Sequence, residues 1–123
     1  MEVAEVIGAY GEAWTEPDPA RRAELLERAW ADDGVYCDPT TTVSGRAAME
    51  RHIAGFGARL PGCTIVVTSA IDAHDGYARF GWEIRDGSGA AVGEGTDFAV
   101  LGPDGRIQRI VGFFGPLPPA PAG

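Results

Sequence analysis

The sequence predicts an α+β domain, a curved antiparallel sheet with helices packed on one face. Two observations carry this. In the first half of the chain apolar residues recur at helical spacing. After Pro61-Gly62 the pattern becomes strand-like, with β-branched and aromatic segments cut by Asp-Gly and Gly-rich turns. A length of 123 residues suits one domain with a single core and room for one enclosed pocket.

The elements follow in order. Val3, Val6, Ile7, Tyr10 and Trp14 form the apolar stripe of a first helix over Glu2 to Trp14, with Tyr10 facing inward. Asp18-Pro19 reads as an N-cap and first helical residue, and Leu25, Leu26, Ala29 and Trp30 give the stripe of a second helix ended by Asp32-Asp33-Gly34. A short strand, Val35 to Asp38, places Tyr36 and Asp38 on one face. Ser44 is expected to cap a third helix from Arg46 to about Arg59, with Met49, His52, Ile53 and Phe56 inward. Four strands are then expected over Thr64 to His74, Tyr77 to Arg85, Ala90 to Leu101 and Arg106 to Phe114. Pro116, Pro118, Pro119 and Pro121 cannot join a ladder, so residues 116–123 read as a flexible tail after a domain spanning 1–115.

Composition excludes several functions. The 45% hydrophobic content, 23% charge and three tryptophans describe a globular chain. Eighteen acidic and ten basic residues leave a charge of −8, which disfavours nucleic-acid partners that need clustered cations. No apolar run approaches the roughly 20 residues that span a bilayer, and the acidic start at Met1, Glu2 and Glu5 lacks a signal-peptide pattern, so no membrane role and a cytoplasmic location are expected. Cys37 and Cys63 sit in no metal-ligand spacing and read as free thiols, with no metal expected. The later strands carry apolar residues on both faces. A homodimer is the economical cover for the second face, and small side chains on a solvated face are the alternative.

Two acids stand apart from the solvated majority. Asp38 ends an alternating strand and precedes Pro39, and Asp97 interrupts the apolar run Phe98, Ala99, Val100, Leu101. A carboxylate buried there either finds a partner, such as Arg79 or Arg109, or takes up a proton.

The stretch Ala31 to Pro39, the Gly45-Arg46 helix start, and Asp97 to Gln108 running on to Gly112-Phe113-Phe114 resemble the nuclear transport factor 2-like superfamily, in its SnoaL-like and ketosteroid isomerase-like branches. The resemblance covers nearly the whole chain to Gly115. It implies a cone-shaped, cystatin-like roll whose three helices and curved sheet enclose a pocket. It further implies that Asp38 falls on the isomerase's general base, Asp97 on its protonated oxyanion-hole acid, and Tyr10 near its oxyanion-hole tyrosine if the Thr15 to Pro19 loop contains an insertion. The implied catalytic set is Asp38, Asp97 and Tyr10, with His52, Trp14, Trp30, Phe56, Trp82 and Phe114 around a small hydrophobic ketone or enone and no cofactor. A non-catalytic ligand-binding or dimerisation module is the alternative. Trp30 and Ile53 stand where the isomerase has supporting tyrosines, the loop from Pro39 to Gly45 is two residues shorter, and His52 replaces an aromatic. His52 is open to three roles: a satisfied polar group, a second proton carrier or a substrate hydrogen bond. The last strand, Gly112 to Gly115, lacks the acid that related cyclases and hydrolases use.

Overall fold

The computed structural model describes residues 2–122. Three helices, α1 (Val3–Thr15), α2 (Pro19–Ala29) and α3 (Arg46–Arg59), lie against one seven-stranded sheet. Its strands are β1 (Trp30–Asp38), β2 (Thr41–Ser44), β3 (Thr64–Val67), β4 (Asp72–His74), β5 (Tyr77–Arg85), β6 (Ala91–Leu101) and β7 (Ile107–Phe114). They are ordered β2-β1-β7-β6-β5-β3, with β4 also on β5. Val6, Ile7 and Ala13 of α1, Leu25 and Leu26 of α2, and Met49 and Ile53 of α3 close over Phe80, Ala99, Ile107 and Ile110 to form the core. No helix among the described residues is long and apolar enough to cross a membrane.

Asp18 caps α2, its Oδ1 accepting from the Ala20 amide, and Pro19 opens the helix where its missing N–H costs nothing. Ser44 does not cap α3. It ends β2, a strand the sequence did not announce, and Gly45 precedes the helix at φ +91°, a conformation that favours glycine.

The sheet is mixed rather than wholly antiparallel. β1 runs parallel to β7, pairing Val35 with Arg109 and Cys37 with Val111, while every other pair is antiparallel. Helix α2 stops at Ala29, ahead of the expected stop at Asp32-Asp33-Gly34, and those residues lie in β1, which starts five residues before the expected Val35. Trp30 still donates its amide to the Leu26 carbonyl, yet its backbone is extended and starts β1, and its carbonyl accepts from Arg46 Nε at 3.0 Å. The expected strand from Thr64 to His74 splits into β3 and β4. Between the pairs Val67–Trp82 and Asp72–Arg79 the partner strand has two residues and this one has four. The surplus bulges outward, held by Ser69 Oγ, which accepts from the Gly81 amide at 2.8 Å.

β1 bulges as well, and the bulge seats the Trp30 indole. A Cβ at Gly34 would stand 2.6 Å from Trp30 Nε1 and 2.8 Å from its Cε2. Gly34→Ala is therefore expected to lower stability by about 1–3 kcal/mol through overpacking, read as a reduced urea midpoint at unchanged slope.

Candidate active site

The inward faces of α1, α3 and the sheet leave a cavity of about 470 Å³, within the range of small-molecule sites. Strand alternation decides which side chains enter it. Phe80, Trp82 and Ile84 of β5 point inward with Asp97 of β6 and Phe114 of β7, and Tyr36 and Asp38 face them from β1. Tyr10 and Trp14 reach in from α1, and His52 and Phe56 from α3.

Asp38 sits where Pro39 ends the ladder, so its carboxylate meets the free amides of the following turn. Oδ1 accepts from the Thr40 amide at 2.8 Å, the Thr40 hydroxyl at 2.7 Å and the Thr41 amide at 3.1 Å. Oδ2 accepts from the Tyr36 hydroxyl at 2.6 Å. Burial opposes ionisation, but these four hydrogen bonds outweigh it and hold the carboxyl below the ordinary range. Asp38 is therefore ionised at neutral pH.

Asp97 has the opposite environment. Only 7% exposed, it is contacted neither by Arg79, which pairs with Asp72 at 2.7 Å, nor by Arg109, which forms no ion pair among the described residues. Burial pushes its carboxyl up to about 7, the Trp82 indole counters in part, and the negative charge of Asp38 adds to the rise. Trp82 Nε1–H donates to Oδ1 at 3.0 Å. When the acid is protonated, that bond leaves Oδ2–H as its donor.

Tyr10 is 2% exposed, and its hydroxyl has no hydrogen-bond partner. Burial, then the charge of Asp97, raises its pKa well above the ordinary value, so the hydroxyl stays a donor. An unpaired buried hydroxyl and a carboxyl that keeps its proton up to about pH 7 both line the cavity, two donors that a ligand oxygen could satisfy.

Eight of the nine residues expected at the site line the cavity: Tyr10, Trp14, Asp38, His52, Phe56, Trp82, Asp97 and Phe114. Trp30 does not. Fully buried in the core, it stacks on the far face of the Tyr10 ring at 5.6 Å and 17°, and so positions that ring instead of meeting a ligand. Trp14 is the hub of the aromatic wall, with His52 at 5.7 Å and Phe56 at 5.8 Å, both edge-on. The His52 ring also lies over Tyr36 at 5.1 Å. Burial, then the Arg59 charge, lowers its pKa, so the imidazole is neutral near pH 7.

Three residues escaped the sequence reading. Tyr36 was visible on the same strand face as Asp38, but its hydrogen bond depends on a side-chain rotamer. Arg59 lines the rim from the end of α3. Gly112 pairs with Asp97 and would, with a Cβ, meet Asp97 Oδ1 at 3.0 Å and Asp38 Cβ at 3.5 Å, so its bare backbone lets the two acids share one wall. No group of three His, Cys, Asp or Glu among the described residues could hold a metal ion.

Three helices over a curved mixed sheet are the architecture of the nuclear transport factor 2-like class, and solved structures agree. Over 90% of this chain and 95% of the other, at 32% identity and a TM-score of 0.85, it is similar to a SnoaL-like family protein from Agrobacterium tumefaciens that is provisionally named an isomerase. A nuclear transport factor 2-like protein of unknown function from Exiguobacterium covers 89% and 98% of the two chains at 14% identity and a TM-score of 0.71. A protein from Sinorhizobium meliloti provisionally named a polyketide cyclase covers 91% and 99% at 18% identity and 0.67. The SnoaL-like domain profile matches residues 7–110, and the chain belongs to that family. Comparison with curated proteins finds no match.

The raised Asp97 carboxyl has a thermodynamic signature. Folded protein keeps a proton that the unfolded chain releases at the ordinary value of 3.8, so stability falls as pH rises from there to about 7 and is level above. Asp38 acts in the opposite sense, its contribution lost as pH drops through its lowered range. Asp97→Asn is expected to remove a decline on the order of 4 kcal/mol, measured by urea titration at stepped pH. An unchanged profile would assign the decline to other groups.

Proposed function

We propose that this protein is an isomerase-type acid/base enzyme that moves a proton on a small hydrophobic ketone or enone through an enolate. The reading is carried by the split between two carboxyls in one apolar cavity, Asp38 held ionised and Asp97 keeping its proton up to about pH 7. Asp38 takes a proton from the carbon α to the carbonyl and returns it to another carbon of the same substrate, so the proton count closes. The developing charge falls on the carbonyl oxygen, where Tyr10 Oη–H and Asp97 Oδ2–H donate from the apolar part of the cavity. Trp82 keeps the Asp97 proton on the donating oxygen, and the wall of Trp14, Phe56 and Phe114 holds the apolar body of the substrate. The provisional isomerase name of the Agrobacterium relative is in line with this chemistry.

A non-catalytic ligand-binding module is the second reading. It is favoured by the four hydrogen bonds on Asp38, which weaken that carboxylate as a base.

Two measurements separate these readings. A fused-ring phenol mimics a flat apolar enolate and should bind in the wild type. Asp97→Leu and Tyr10→Phe should each weaken it by about 1–3 kcal/mol, and Asp97→Asn, which still donates, should lose less. Absence of phenol binding, or equal affinity in wild type and Asp97→Leu, sinks the enolate site. On an enone substrate Asp38→Asn should cut turnover by about 10²–10⁴-fold, with the wild-type rate falling above the Asp97 value of about 7. Phenol binding without any turnover would leave the binding module standing.

We also propose a homodimer formed through the outer face of the sheet. Tyr77, Phe98 and Phe113 are exposed there, the first two stacked at 5.9 Å. Sedimentation at micromolar protein should show twice the 12.9 kDa chain mass, and a species of 12.9 kDa alone would leave that face to solvent.

A further inference from the structure

We propose that the substrate carries a carboxylate, which Arg59 receives at the rim of the cavity. This deepens the enolate reading and rests on the same site. Arg59 is the single Arg or Lys lining a cavity walled mainly by aromatic and aliphatic groups, with Asp38, Asp97, Thr40, Thr41 and His52 as its other polar side chains. It shares a helix face with His52, Gly55 and Phe56, at spacings of seven, four and three residues, so it belongs to the side of α3 that covers the cavity.

The guanidinium folds back along that face. Its Nη1 lies 2.8 Å from where a Cβ at Gly55 would stand, so any side chain at 55 would displace it. His52, one turn further in, feels its charge.

Arg59 has no ion pair among the described residues, although the chain carries eighteen acids to ten arginines. Arg21, Arg79, Arg85 and Arg106 pair with carboxylates, and Arg22 and Arg46 donate to backbone carbonyls; Arg28, Arg51 and Arg109 also have no ion pair among the described residues, but none of them lines the cavity. An anion is the natural complement of a guanidinium left open beside an apolar cavity. One planar fork matches the two oxygens of a carboxylate. A phosphate would call for further cationic donors, and no second Arg or Lys lines the cavity.

Because the guanidinium folds back to Gly55, it stands three residues of helix, about 4.5 Å along the axis, from His52. His52 packs on Tyr36, the donor to Asp38, so the helix face that carries the cation leads toward the reacting end of the cavity.

The test is calorimetric titration of wild type and Arg59→Gln with two probes: naphthol, and the hydroxynaphthoate that adds a carboxylate on the distal ring. Arg59 is exposed, so the variant is expected to fold. Wild type should bind hydroxynaphthoate about five- to thirtyfold more tightly than naphthol, an advantage that shrinks with added salt. Arg59→Gln should reduce the hydroxynaphthoate affinity to that of naphthol. Equal affinities in wild type, or an advantage that survives Arg59→Gln, would overturn the carboxylate inference, while naphthol binding still supports the enolate site. Arg59-dependent binding of hydroxynaphthoate without naphthol binding would keep the carboxylate and overturn the enolate reading. Binding of neither probe would remove both.

Discussion

The arrangement depends on a carboxyl group kept in an apolar cavity with a single indole N–H for company. A buried acid in that position costs least as the neutral form, which turns an ordinary acceptor into a donor. The Trp82–Asp97 bond runs from β5 to β6 across the concave face of the sheet, and the register makes it possible. Trp82 lies opposite Gly95, where a Cβ would collide with the indole and with the Phe113 carbonyl, so the ring can lie flat and reach Asp97 two residues further along β6. Gly112 clears the other side of the same carboxyl. Two absent side chains therefore set the protonation state of a third.

Asp38 and Asp97 illustrate how environment divides two chemically identical groups. One lies at a strand end, where proline has broken the ladder and turn amides are unclaimed. The other lies inside a strand, whose amides are already spent on neighbouring strands, leaving only side chains to serve it. The first acid sharpens the division, because ionised Asp38 raises the affinity of Asp97 for a proton.

Features with local causes were legible in the sequence. Asp18-Pro19 marks a helix start through the Asx cap and the missing N–H, Asp75-Gly76 turns with both residues at positive φ, and Asp97 betrays itself as the wrong residue type for its run. Sequence patterning also placed Tyr10, Trp14, His52 and Phe56 on inward helix faces. It misplaced Trp30, because a residue at the junction satisfies helix periodicity and strand preference equally well, and tertiary packing under Tyr10 decides between them. The parallel partner of β1, the bulge at Ser69-Ala70 and the Tyr36–Asp38 bond had no local signal, since each depends on distant chain segments or on rotamers. Even the family resemblance, which located both acids, could not say that Trp82 rather than an arginine would serve Asp97.

The parallel pairing of β1 with β7 bears on how the protein is made. Asp33 and Gln108, 75 residues apart, hydrogen-bond across that junction, and Asp38 belongs to the strand that the junction fixes. A ribosome therefore releases β1 with only the four-residue strand β2 paired to it in the sheet, and its other edge stays open until β7 emerges. Closure of so long a loop is slow and comes late. The cavity that separates the two carboxyls is in this sense the final thing the chain builds, and a truncation that trims β7 removes the wall common to both acids while leaving every helix encoded.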